Sequence, residues 1–166
     1  MEKHLQQLET SLIEQIRAHT ALAALLDEER TALVGVSLDS IHSCARRKVE
    51  LAQAIQSAEQ LRLQAMEALC QGLGLAPQPM RLADLIDLLP LEQRPRLEEL
   101  RERLVIALRA ARDSQERNRS LAERFLSVVS SSMEAIQRAV ATLPLYTPSA
   151  KVGNAPWRGC VVSQQA

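Results

Sequence analysis

The chain has 166 residues, a length that fits one domain, with 46% hydrophobic residues but a single Phe, a single Tyr and a single Trp. That apolar content argues against wholesale disorder. The scarcity of aromatics points to a thin core of Leu, Ile, Val and Ala, as in paired helices. Lys plus Arg number 20 and Asp plus Glu number 20, which leaves no basic surplus for phosphate and speaks against nucleic acid as the main partner.

The longest apolar runs are a few residues, too short to span a bilayer, so no stable membrane insertion is expected. The opening Met1-Glu2-Lys3-His4 leads straight into a charged amphipathic pattern and lacks the apolar stretch of a secretory signal. Cys44, Cys70 and Cys160 are odd in number, widely spaced and without a CxxC pair. Zinc and a disulfide framework are therefore disfavoured, and a cytoplasmic location is the simplest expectation.

Taken in chain order, Leu5, Leu8, Leu12, Ile16, Leu22, Leu26 and Leu33 recur at helical spacing and predict a helix over 3–33. Gly35 ends it, and Ser37 is placed to cap a second helix over 38–71, with Asp39 near its positive end. The apolar seam resumes at Ile41, Leu51, Ile55, Leu61 and Leu69, and Gly72 and Gly74 suit a C-terminal cap. Each helix spans about 45 Å, and the short connection favours an antiparallel hairpin.

Pro77, Pro79, Pro90 and Pro95 make the middle a Pro-rich connection. Between them 81–89 reads as a short amphipathic helix that caps the end of the hairpin. Pro95 fits the first turn of a third long helix over 95–142, with its seam at Leu97, Leu100, Leu104, Leu108, Leu121, Phe125, Val129, Ile136 and Val140. The fold class is thus all-α: a long antiparallel hairpin plus a third long helix, forming one elongated bundle over 1–143. Residues 144–166 read as a flexible, irregular Pro/Gly-containing tail. That tail holds Lys151, Arg158, Cys160 and two of the three aromatics, Tyr146 and Trp157. It fits either a linear motif that docks on a partner or a segment folded back on its own helices.

No catalytic pattern emerges, and no enzyme activity is expected. His4, His19 and His42 form no HExxH spacing, and there is neither a GxSxG nor a P-loop. Gly72-Leu73-Gly74 follows a helix, where the dipole repels phosphate. Glu28, Glu29 and Glu50 lack the Glu-x-x-His partners of a bundle metal site and read as solvated flanks, so no metal or other cofactor is expected. His19 falls near the seam, where partial burial is the ordinary state of a histidine. Cys44 and Cys70 read as small buried fillers. Arg46-Arg47-Lys48 reads as ion-paired with Glu50 or with carboxylates of the first helix, and the run from Arg109 to Arg124, which includes Asp113, Glu116 and Glu123, reads the same way. Serines soften the third helix at 114–120 and 127–132 and leave a smooth surface. A partner helix can lie there against Val128, Val129, Met133, Ile136 and Val140; the alternative is that these residues pack on the second helix.

The stretch Leu22-Ala-Ala-Leu-Leu-Asp-Glu-Glu-Arg-Thr-Ala-Leu33 resembles the first signature of FlgN-type flagellar export chaperones. The pattern continues through Ile41, Lys48-Val49-Glu50-Leu51, Ile55 and Glu59 to Arg62. The resemblance covers about residues 5–70, and the third helix matches in kind. It implies a cytoplasmic helical chaperone of flagellar type III secretion. Such a chaperone binds the amphipathic C-terminal helices of hook-filament junction proteins of the FlgK/FlgL type. It prevents their premature assembly and brings them to components of the export apparatus. Substrate capture is implied for 128–143 and the tail, and an export-gate contact for Tyr146. The competing readings are a structural coiled coil that pairs with itself and a bundle enzyme or metal carrier.

Overall fold

In the computed structural model the described residues are 2–75, 80–141, 145–146 and 152–153. Four helices run in order: α1 (Glu2–Val34), α2 (Leu38–Gly72), α3 (Leu82–Leu88) and α4 (Arg94–Ala141). Two two-residue strands follow, β1 (Leu145–Tyr146) and β2 (Val152–Gly153), paired antiparallel with Tyr146 opposite Val152. The chain divides into two compact units, Met1–Leu121 and Ala122–Ala166.

In the first unit α1 and α2 form the antiparallel hairpin. Gln15 meets Glu59, and Glu28 meets Arg47 nearer the turn, so residue numbers rise on one helix as they fall on the other. Both helix ends close with the same backbone device. At the end of α2, Leu75 N–H donates to the Cys70 carbonyl and Gly74 N–H to that of Gln71, with Gly74 at φ +73°. At the end of α1, Ser37 N–H donates to Ala32 and Val36 N–H to Leu33. These are Schellman caps, whose left-handed position normally goes to glycine. In the first cap that position falls on Val36, at φ 50°, one residue after Gly35. A β-branched residue there is strained, so the expected glycine stop exists but is offset by one residue. Ser37 does stand at the N-cap of α2, but its hydroxyl bonds the Ser40 hydroxyl at 2.8 Å and makes no side-chain cap.

The main apolar cluster lies at the far end of the hairpin. Leu8, Leu12, Leu69, Leu85, Leu97 and Leu100 are fully buried there, with Leu5, Met66, Ile86 and Leu89 around them. Fully burying one such side chain contributes about 1.5–3 kcal/mol. The short α3 therefore does cap the open end of the hairpin. Arg94 ties α3 to the start of α4: its guanidinium donates to the carbonyls of Leu89 at 2.8 Å and Asp87 at 2.7 Å.

Nearer the turn the core thins. Its buried residues are Leu25, Leu26, Ala32, Cys44, Ala58, Ala107 and Ala111, together with Glu29, Ser114 and Asn118. In the first unit two assigned seam positions are exposed. Leu61 is 57% and Leu108 41% exposed. The burial falls on their smaller neighbours Ala58, Ala65 and Ala107, because helices approach closely where side chains are small. Within α4 the inward positions are 97, 100, 104, 107, 111, 114 and 118, alternating steps of three and four as in a coiled coil.

Candidate docking face

In the second unit α4 continues from Ala122 to Ala141 with no change of backbone class, but every residue from 123 to 140 is exposed. The helix therefore carries its apolar side chains in water. Val129 is 56%, Met133 54%, Ile136 59% and Val140 42% exposed, with Phe125 at the start of the same row. Steps of four, four, three and four residues keep these five on one face of the helix. Val128, 64% exposed, lies beside them.

The flanks are small or charged. Ser127, Ser130, Ser131 and Ser132 are exposed, and the Ser132 hydroxyl donates back to the Val128 carbonyl at 2.8 Å. Arg138 pairs with Glu134 one turn earlier, at 3.9 Å. An apolar row with no converging polar group offers binding and no chemistry, and a second amphipathic helix is its natural complement. Tyr146 lies in β1, opposite Val152. Trp157, Cys160 and the other residues of 154–166 lie outside the described residues.

The remaining candidates resolve into structural roles. Arg47 binds Glu28 and holds its carboxyl below the usual range, first by hydrogen bonding and then by charge. Lys48 Nζ donates to Glu29 at 2.6 Å. Arg47 and Lys48 of the basic triplet are thus paired with carboxylates of α1. Glu29 itself departs from that reading. It is only 8% exposed, and Asn118 Nδ2 donates to it at 3.1 Å and to the Leu26 carbonyl at 2.6 Å. Cys44 and Cys70 are buried and free, and the Cys70 sulfur lies 4.0 Å from that of Met80.

A second polar cluster interrupts the hairpin midway. Gln15, 3% exposed, donates to Glu59, whose carboxylate also takes two bonds from Arg62, at 2.6 and 2.8 Å. These bonds keep the Glu59 carboxyl below its ordinary range despite partial burial. His19 Nδ1 is buried there without a hydrogen-bond partner. Burial pushes the His19 imidazole below its ordinary value, and the nearby Glu59 charge partly opposes that. Sequence reasoning missed Gln15 and Asn118. The signal existed, since both occupy inward helical positions, but a polar residue at such a position reads as a break in the seam. Among the described residues no group of His, Cys, Asp or Glu could hold a metal ion, and no helix is long and apolar enough to cross a membrane.

With the fold and the exposed row in place, comparison with known families finds a match over residues 1–153 to the family described as FlgN protein. The chain belongs to that family of flagellar chaperones. Comparisons with curated proteins and with solved structures find no match.

Proposed function

From membership of the FlgN family, we propose that this chain is a cytoplasmic export chaperone for flagellar hook-filament junction proteins of the FlgK/FlgL type. It holds their amphipathic C-terminal helices, prevents premature assembly and delivers them to the type III export apparatus. The observation that carries this reading is the exposed row of α4. Val128, Val129, Met133, Ile136 and Val140 stand in water on a formed helix, where an amphipathic client helix would remove apolar area from solvent.

Such binding suits a carrier. A client terminus that becomes ordered on binding loses conformational entropy, which holds affinity to a moderate level and permits release. Capture and release are equilibrium events and require no nucleotide or metal. Tyr146, just beyond α4, is assigned to the contact with the export gate.

The test is size-exclusion light scattering of the purified chain mixed with C-terminal segments of hook-associated proteins. A one-to-one complex is expected, and the export-gate role of Tyr146 predicts that Tyr146→Ala leaves this complex intact while reducing client export. A self-associated chain that binds no segment would instead favour a structural coiled coil.

A further inference from the structure

The inward edge of α4 changes character within the first unit. Leu97 and Leu100 are fully buried in the main apolar cluster. The later inward positions are Ala107, Ala111, Ser114 and Asn118, all buried, and none brings a large apolar side chain. Adhesion between helices follows the apolar area removed from water, so this stretch is held weakly by its own side chains.

Polar bonds also hold it. Asn118 Nδ2 donates to the Leu26 carbonyl at 2.6 Å and to Glu29 Oε2 at 3.1 Å, while Glu29 Oε1 accepts from Lys48 Nζ at 2.6 Å. One side chain from each of α4, α1 and α2 thus meets at a single point. Leu26, whose carbonyl Asn118 holds, and its neighbour Leu25 are each 1% exposed. Beside this stretch runs an open groove of about 530 Å³, lined by Leu22, Leu26, Ala52, Ile55 and Gln115 among others.

We propose that 107–118 is a releasable strap, fastened over Leu25 and Leu26 by the Asn118–Glu29–Lys48 latch. The strap opens as a unit while Leu97 and Leu100 stay seated, and its opening widens the groove along α1 and α2. A latch of hydrogen bonds suits this role, because water can replace each bond on opening. The inference is independent of the client reading and concerns the first unit alone.

Hydrogen exchange of the full chain, resolved by segment, tests it. In the wild type, amides of 107–118 are expected to exchange at least about tenfold faster than those of 97–104. Asn118→Ala is expected to accelerate 107–118 and 22–29 by about tenfold or more, leaving 5–16 and 66–70 unchanged. Lys48→Gln loosens the latch from the α2 side with Asn118 in place, and gives the same pattern at smaller amplitude. It serves as the test if Asn118→Ala does not fold. Equal protection of the two stretches in the wild type would overturn the proposal. So would a uniform change through the bundle in the variants, or no change in either.

Discussion

Two halves of one helix invite comparison. From Arg94 to Leu121, α4 buries Leu97, Leu100, Ala107, Ala111, Ser114 and Asn118. From 123 to 140 it buries nothing, although Val129, Met133, Ile136 and Val140 continue a helical apolar row. Periodicity is the same physical instruction in both halves, since it gathers apolar side chains on one face. What differs, among the described residues, is the burial of that face. The row in the second half is exposed, and it is the more apolar of the two faces beyond Leu104.

The largest effect that separates the halves is on stability. Leu100→Ala, in the main cluster, is expected to cost about 2–5 kcal/mol in denaturant unfolding, from lost transfer energy and the cavity left behind. Ile136→Ala, in the exposed row, is expected to change stability by less than about 0.5 kcal/mol. Comparable losses at both sites would erase the distinction.

The thinner part of the first unit gives the next effect. Glu29→Ala removes the acceptor of both Lys48 and Asn118. A cost of about 1–3 kcal/mol is expected, since a buried donor loses its partner. A neutral result in a thermal melt would mean that the polar contact contributes nothing to holding α4 on the hairpin.

How much of this was legible follows from particular residues. The two caps and Pro95 mark where helices stop and start, so the element order could be read directly from Gly35, Gly72, Gly74 and the prolines. The fold class followed from the Leu and Ile seam. The fine choice of inward positions did not. Leu61 and Leu108 outrank Ala58 and Ala107 on any hydrophobicity argument, yet close approach of helices favours the alanines. Burial of Glu29 was equally hidden, because it depends on Lys48, 19 residues away, and on Asn118, 89 residues away. As for the exposed row, the spacing of Val129 and Ile136 places them on one face of the helix. No sequence signal distinguishes a face covered by its own chain from one left open.

A smaller effect sharpens the account of the hairpin turn. Val36→Gly relieves the left-handed strain at the α1 cap, and is expected to raise stability by about 1 kcal/mol, offset in part by the freedom glycine adds to the unfolded chain. A loss of stability in urea titration would show that the Val36 side chain makes a contact worth more than the strain.

The smallest effect is on pH dependence. His19 is held below its ordinary value of 6.5, chiefly by burial. The unfolded state therefore takes up this proton first, and stability falls as pH drops below 6.5, levelling once the folded state is also protonated. The Glu59 carboxyl is held below its ordinary value of 4.5, chiefly by Arg62. Its contribution is present above 4.5 and is lost as pH falls through the lower folded value. His19→Gln is expected to flatten the fall in melting temperature that begins as pH drops below 6.5, and to leave the acid limb intact. An unchanged slope in the upper window would assign that dependence to another group.

The central claim is that the second half of α4 is a helical face reserved for a client. The most direct measurement is calorimetric titration of a hook-associated C-terminal segment into the wild-type chain and into Val129→Asp/Met133→Asp/Ile136→Asp, with thermal melts of both. The account predicts that binding is lost in the triple variant, a drop of about 100-fold or more in affinity, while the melt of the bundle is unchanged. Retained binding in the triple variant, or a collapse of its melting temperature, would contradict it.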